Sequence, residues 1–176
     1  MRRLLVFLVF LLAPLAQAAD WPDPKGMNVV PSVDLQRYLG TWYEIATIPQ
    51  RFQRGCTATT AKYSLRPDGD IRVDNACNKN TLDGELSTAE GKAWVVDPAT
   101  NARLKVSFFW PFSGDYWIIE LGSDYAYAVV GHPNRKYLWV LSRTPQMDET
   151  VYQGILGRMA ALGYDLSMVV RTLQPA

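Results

Sequence analysis

The chain has 176 residues, of which 48% are hydrophobic and 20% charged, a composition typical of one globular domain. With a formal net charge of +1, it lacks the strongly basic surface that a nucleic-acid-binding protein needs, so we expect no nucleic-acid partner. One His and two Cys are too few for a multi-histidine or four-cysteine metal site, and no metal or other cofactor is predicted.

The N-terminus has the parts of a secretory signal peptide, which we assign to residues 1–18. Arg2 and Arg3 form a short basic region, an apolar run follows, and Ala16-Gln17-Ala18 supplies the small residues that signal peptidase accepts. The apolar run is too short to cross the roughly 30 Å of hydrocarbon in a bilayer. Because no Cys lies near the cleavage site, we expect no lipid anchor, and the exported chain is predicted to be soluble in the periplasm or secreted.

Residues 19–33 are predicted to form an extended arm, because prolines and a glycine interrupt them. A short helical turn over Asp34–Leu39 then ends at Gly40. Eight β-rich runs follow, with turn signals about every 8–12 residues, a pattern typical of a sandwich or barrel. The runs are Thr41–Ile48, Thr57–Leu65, Asp70–Cys77, Ser87–Val96, Arg103–Phe109, Asp115–Leu121, Tyr125–Gly131 and Tyr137–Arg143.

Short connections make successive strands antiparallel neighbours, and eight such strands can close into an up-and-down barrel without free edges. Asp148 and Glu149 then begin one long helix, which ends at Gly163, and Tyr164–Leu173 is predicted to be a further extended segment. The predicted fold is therefore all-β. Residues 34–176 form an eight-stranded antiparallel barrel with one C-terminal α-helix packed outside it.

Alternation of apolar and polar residues identifies the inward face of some strands, whereas other strands are apolar on both faces. The inward residues assigned in this way are Ala61, Tyr63, Leu65, Ile71, Val73, Leu104, Val106 and Phe108. An eight-stranded barrel is either filled by its own side chains or holds one small ligand. The pattern alone leaves both possibilities open.

Cys56 and Cys77 are the two cysteines of the chain, and an exported protein meets an oxidising compartment, so we predict that they form a disulfide. On the chain-entropy model, closing a loop of this size stabilises the fold by roughly 3 kcal/mol. A simple hairpin about Asp68-Gly69 would place Cys56 opposite a residue nearer 80 than 77. The bridge therefore requires a β-bulge or the end of regular pairing nearby.

Three motifs resemble those of the lipocalin family, and they occur in the family's order. Gly40-Thr41-Trp42 lies at the start of the first strand, Asp124-Tyr125 lies between the sixth and seventh, and Arg143 ends the last. The resemblance runs from about Asn28 to the C-terminus. It is closest to the branch that contains the bacterial Blc-type lipocalins, apolipoprotein D and the plant temperature-induced lipocalins.

The resemblance implies a barrel that is closed at one end. Trp42 would cover this end, and Arg143 would lie over its ring and bond backbone carbonyls, since a planar cation stacks favourably on indole. Gly40, Trp42, Asp124, Tyr125 and Arg143 are therefore assigned to the fold and not to a site.

The resemblance also implies a ligand inside the barrel: a fatty acid, a lysophospholipid or a similar amphiphile, carried for lipid storage, transport or repair at the bacterial cell envelope. Arg51 and Arg54 lie in a segment that resembles the loop over the open end, where they would bind an anionic headgroup or remain two solvated charges. The predicted ligand-lining residues are Tyr63, Leu65, Val73, Leu104, Val106, Phe108, Tyr116, Ile118, Ala128, Trp139 and Leu141.

Two other functions are compatible with the sequence. Glu44 and Glu120 occupy strand positions whose side chains are expected to face inward. A buried pair of carboxylates could act as acid and base in a lipid-modifying enzyme. A barrel filled by its own aromatics would be an interaction protein. We prefer the carrier, so no catalytic residue and no enzyme activity are predicted. The expected partners are a small hydrophobic ligand and, transiently, the outer membrane, and the protein is predicted to be a monomer or weak homodimer.

Overall fold

The structure is a computed structural model that describes residues 26–176; the predicted signal peptide and the first part of the predicted arm lie outside the described residues. The described part of the chain contains two α-helices, nine strands and three single-turn 3-10 helices. In order, they are α1 (Leu35–Tyr38), β1 (Gly40–Thr47), β2 (Cys56–Leu65), β3 (Ile71–Lys79), β4 (Leu86–Val95), β5 (Arg103–Phe109), β6 (Phe112–Leu121), β7 (Tyr127–Gly131), β8 (Leu138–Ser142), α2 (Glu149–Ala161) and β9 (Val170–Arg171).

The first eight strands form a closed barrel. Each pairs antiparallel with the next, and β1 pairs with both β8 and β2, which closes the ring. The predicted eight-stranded barrel is therefore confirmed, and no strand boundary is displaced by more than three residues. Because α1 precedes β1, the connections β1–β2, β3–β4, β5–β6 and β7–β8 all lie at the barrel end opposite α1.

The C-terminal residues 170–174 lie in a gap between β1 and β2, and we call them the C-terminal strap. The two strands pair only from Gly40 to Tyr43 of β1, after which they separate. In the gap, β9 pairs with the end of β1, Thr172 N donates to Ile45 O at 3.0 Å, and Ala58 N donates to Leu173 O at 2.7 Å. The strap therefore satisfies backbone groups that barrel closure leaves unpaired.

Helix α2 packs on the outside of the barrel, as predicted. Asp148 caps its N-terminus by accepting a hydrogen bond from Val151 N at 3.1 Å. Its buried residues Tyr152, Ile155 and Met159 contact the outer faces of β1, β6, β7 and β8. This contact explains why several strands are apolar on both faces. Neither helix in residues 26–176 is long and apolar enough to span a bilayer.

The predicted disulfide between Cys56 and Cys77 is confirmed, with a Cα–Cα distance of 5.4 Å. The bulge that it requires is also present. The register of β2 and β3 shifts by one residue between Thr57 and Thr60, and Ala58 adopts a φ of 49° there. Cys56 consequently lies opposite Lys79. The bridge fastens β2 to β3 at the end of the barrel that α1 does not cover.

Candidate ligand-binding site

Trp42 closes the end of the barrel that carries α1. Its side chain is fully buried, and its Nε1 donates to Tyr38 O at 2.8 Å. The guanidinium carbon of Arg143 lies 3.6 Å from the centre of the Trp42 ring, and its nitrogens donate to Thr41 O and Arg37 O. A cation stacked on indole with its donors satisfied makes a dry, rigid floor.

Gly40 and the β6–β7 turn complete this closed end. Gly40 has a φ of +93°, a conformation that favours glycine, and a Cβ there would lie 3.5 Å from Arg143 Nη1. Asp124 and Tyr125 also have positive φ values, and Tyr125 Oη accepts a hydrogen bond from Asp34 N at 2.8 Å. These contacts attach α1 to the barrel, so the motif residues lie in the floor and its supports.

Above the floor, the inward-facing side chains form a core that opens toward the other end. Among the predicted lining residues, the buried members of this core are Tyr63, Val73, Leu104, Ile118, Ala128 and Leu141. The members that are only partly buried are Val106, Phe108, Tyr116 and Trp139. Partial exposure of inward-facing residues shows that the upper half of the interior, which we call the lumen, is reached by solvent.

Small residues keep the lumen open. Ala89 and Gly114 face inward, since they lie opposite Asn75 and Val106, yet both are exposed. A Cβ built on Gly114 would meet no atom within 4 Å. At Gly114 the described side chains leave space inside the upper half of the barrel, which favours a ligand site over a barrel packed by its own aromatics.

Leu65 does not line the lumen, and its assignment was wrong. It is 55% exposed and is the last residue of β2. Tyr63 lies opposite Gly40, the first residue of β1, so Leu65 extends beyond the start of β1 and pairs only with Ile71 of β3. The alternation of apolar and polar residues along a strand predicts which face of the sheet a side chain is on, but not how far along the barrel axis it lies.

Three tyrosine hydroxyls meet just above the floor, and we call Tyr38, Tyr63 and Tyr116 the tyrosine cluster. Tyr116 Oη lies 2.8 Å from Tyr38 Oη and 2.9 Å from Tyr63 Oη. Burial raises the pKa of Tyr63 to about 12, and it raises the pKa values of Tyr38 and Tyr116 well above the ordinary value. Sequence reasoning placed Tyr63 and Tyr116 inside the barrel but missed Tyr38, because a four-residue helix has no clear inward face.

Glu44 is buried in the barrel wall, where its carboxylate accepts hydrogen bonds from two side chains. Its Oε2 accepts from Gln53 Nε2 at 2.8 Å and its Oε1 accepts from Thr172 Oγ1 at 2.5 Å. Burial raises the pKa of Glu44, and the two hydrogen bonds partly oppose that shift. Gln53 Oε1 also accepts a hydrogen bond from Trp139 Nε1 at 3.0 Å. A continuous series of hydrogen bonds therefore joins the β1–β2 loop, the C-terminal strap and the lumen wall. No pattern in the sequence identifies Gln53 or Thr172 as partners of Glu44, because neither residue lies on a strand that pairs with Glu44 in the barrel.

Glu44 and Glu120 do not form the carboxylate pair that the enzyme alternative would need. The register of β6 and β7 shifts between Ile118 and Glu120, and this bulge turns Glu120 to the outer face. There Glu120 pairs with Arg158 of α2 at 2.6 Å and accepts a hydrogen bond from Tyr127 Oη at 2.8 Å. The two carboxylates therefore do not form the acid–base pair of the enzyme alternative.

A crevice of about 350 Å³ lies between the β1–β2 loop and the C-terminal strap. Arg51, Arg54 and Arg171 line it, together with Glu44 and Gln53. Arg171 stacks on Tyr152 and pairs with Glu149. Within residues 26–176, by contrast, the guanidinium groups of Arg51 and Arg54 have neither an ion pair nor a hydrogen bond. The structure thus brings the two predicted arginines to one crevice that adjoins the lumen wall.

Apolar side chains surround the open end, and we call them the apolar rim. They lie in or directly beside three of the four connections at that end, and the most exposed is Trp110, at 84%. The apolar rim consists of Phe52, Leu86, Phe109, Trp110 and Phe112. Exposed apolar residues clustered in this way mark a surface for a partner or a membrane.

Comparison with known proteins gives consistent matches over most of the chain. The model of the family described as "Lipocalin-like domain" matches residues 33–174. Outer membrane lipoprotein Blc of Escherichia coli K12 is 46% identical over 152 residues, which cover 86% of this chain and 85% of that protein. Temperature-induced lipocalin-1 of Arabidopsis thaliana is 40% identical over 161 residues, with 86% and 85% covered. Insecticyanin from the tobacco hornworm Manduca sexta shares the fold, with a TM-score of 0.65, 21% identity and 83% of each chain covered.

The prediction of a soluble periplasmic or secreted protein is wrong. A protein that is 46% identical over most of both chains is named an outer membrane lipoprotein, which points to the outer membrane. The prediction rested on the lack of a Cys near the cleavage site, and that observation concerns only one mode of membrane attachment. It took no account of apolar groups that folding gathers at one end of the barrel.

Proposed function

The chain belongs to the lipocalin family, and from this premise we propose that it carries a fatty acid, lysophospholipid or similar amphiphile at the bacterial outer membrane. Lipocalins bind small hydrophobic ligands and are generally binding or transport proteins. The observation that carries the proposal is the open lumen above the Trp42 floor, lined by apolar residues and reached by solvent at one end only. Burying ten methylene groups there contributes roughly 8 kcal/mol before the entropy cost of binding.

The proposed headgroup site is the crevice beside the lumen. Arg51 and Arg54 supply two positive charges without partners among the described residues, and charge-assisted hydrogen bonds to carboxylate or phosphate oxygens would satisfy them. Because Gln53 contacts both the crevice and Trp139, a ligand with its headgroup in the crevice has its tail beside the lumen wall. This orientation places the tail inward and the headgroup at the open end.

Replacing Arg51 and Arg54 together by glutamine is expected to weaken palmitate binding at least about tenfold, since a charge-assisted hydrogen bond contributes roughly 1.5–3 kcal/mol. The measurement is a fluorescence titration, because Trp139 lines the lumen. Binding of 1-hexadecanol, which has the same tail and no charge, should be unchanged. Lys136→Gln removes a charge from another connection at the same end and serves as the control. An equal loss for both ligands would contradict the headgroup assignment.

We propose that the protein contacts the outer membrane through its apolar rim. Aromatic side chains favour the interface between lipid and water, and those of the rim surround the mouth of the lumen. A contact at the rim would also let an amphiphile pass between the bilayer and the lumen without crossing water.

The triple change Phe109→Ser, Trp110→Ser and Phe112→Ser is expected to reduce co-sedimentation with phosphatidylethanolamine–phosphatidylglycerol vesicles at least about tenfold, because each buried aromatic contributes roughly 1.5–3 kcal/mol. Ligand titration in solution should be unaffected. Leu65→Ser removes an exposed apolar side chain from the closed end and is the matched control. If the triple variant and the wild type bind vesicles equally, the rim is not the contact.

A further inference from the structure

We propose that the tyrosine cluster is a second polar subsite, which binds an oxygen atom at the inner end of the ligand's tail. The preferred ligands would then be acyl chains with oxygen at both ends, such as ω-hydroxy, ω-oxo or dicarboxylic acids. The inference rests on the carrier function proposed above and adds a selectivity that an apolar tube would not have.

The hydrogen bonding of the cluster is incomplete. Tyr38, Tyr63 and Tyr116 carry three O–H donors, but only two O···O contacts join them, at 2.8 and 2.9 Å. Each contact uses one proton, so one O–H group has no acceptor within residues 26–176. A buried donor without an acceptor costs free energy, and such groups in native proteins are satisfied by water or by a ligand.

The O–H group that lacks an acceptor can be reached from the lumen. Tyr116 contacts both other hydroxyls, and it is also the member of the cluster whose side chain is partly exposed. On β6 it lies between fully buried Ile118, toward the floor, and Gly114, beside which there is open space. Tyr38 packs on Trp42 with a ring-centre distance of 5.0 Å, so the cluster is the deepest point that a chain end can reach.

The surroundings favour an acceptor over a donor on the ligand. The guanidinium of Arg143 lies under the cluster, stacked on Trp42, and its positive charge favours a partial negative charge nearby. Because burial raises the pKa values of the three tyrosines, they remain neutral donors at physiological pH. The residues packed around them, such as Val73, Leu104 and Ile118, are apolar, so the three hydroxyls are the polar groups nearest to the floor.

The test is a fluorescence titration of the disulfide-bonded protein with saturated fatty acids and ω-hydroxy fatty acids of 10 to 16 carbons, matched in length. The wild type is expected to bind the ω-hydroxy acid roughly three- to tenfold more tightly at the length that spans crevice and cluster, since one hydrogen bond contributes about 0.5–1.5 kcal/mol. Tyr116→Phe should abolish this preference, so that the ω-hydroxy acid and the plain acid of the same length bind this variant equally well. Tyr43→Phe, on the outer face of β1, should retain it.

Each outcome decides between the proposals. A wild type that binds plain acids and shows no preference at any length overturns the tyrosine subsite and leaves the carrier function intact. A preference that survives in both Tyr116→Phe and Tyr63→Phe also overturns it. If neither series binds, the carrier function itself fails. Because Tyr63→Phe removes a different hydroxyl of the cluster, it provides the test if Tyr116→Phe does not fold.

Discussion

Gly114→Leu is expected to reduce the affinity for a fatty acid by about 100-fold while leaving the barrel folded. Gly114 faces the lumen opposite Val106, and a Cβ there meets no atom within 4 Å, so a leucine would extend into the space that the ligand needs. Its side chain takes the room of about four methylene groups, at roughly 0.8 kcal/mol each, or about 3 kcal/mol in all. Because glycine weakens a strand interior, the substitution should not destabilise β6.

A matched control separates blocking of the lumen from a general effect of the added side chain. Ser113→Leu adds the same group to the neighbouring residue of β6, which faces outward. This variant should bind the fatty acid as the wild type does. Titration and thermal unfolding of both variants make the comparison. Wild-type affinity in Gly114→Leu would show that the ligand lies elsewhere, and the lumen would lose its assigned role.

Trp42→Ala is expected to lower the free energy of unfolding by about 3–5 kcal/mol, the cost of removing a large side chain from a core. Trp42 is fully buried, and its loss would leave a cavity at the floor. Arg143 would lose the ring on which it stacks, and Tyr38 O would lose the indole donor at 2.8 Å. Since the floor supports the tyrosine cluster, ligand affinity should fall as well.

The measurement is urea-induced unfolding with the disulfide intact. Trp110→Ala makes the same chemical change in the apolar rim, where the side chain is 84% exposed, and should alter the free energy of unfolding by no more than about 0.5 kcal/mol. Comparable destabilisation of the two variants would show that Trp42 does not support the floor. The contrast therefore tests burial and not residue type.

The sequence alone determined the features that depend on neighbouring residues. Turn residues and alternation located all eight barrel strands, and Asp148 with Glu149 located the start of α2. Counting residues across the hairpin showed that a disulfide between Cys56 and Cys77 needs a bulge, which the strands contain. The motif resemblance placed Arg143 over Trp42 and oriented the strands that are apolar on both faces. These features are local or carried by motifs, so they can be read along the chain.

Tertiary structure decided everything that depends on how the ring closes. Alternation gave Leu65 the correct face but not its depth, which depends on where β1 begins. A bulge of one residue turned Glu120 outward and separated it from Glu44. The C-terminal strap, the crevice and the tyrosine cluster each join segments that are distant in sequence. Aromatic residues make up 12% of the sequence, but only the closed barrel brings three tyrosine hydroxyls together at its base and leaves five apolar side chains at its rim.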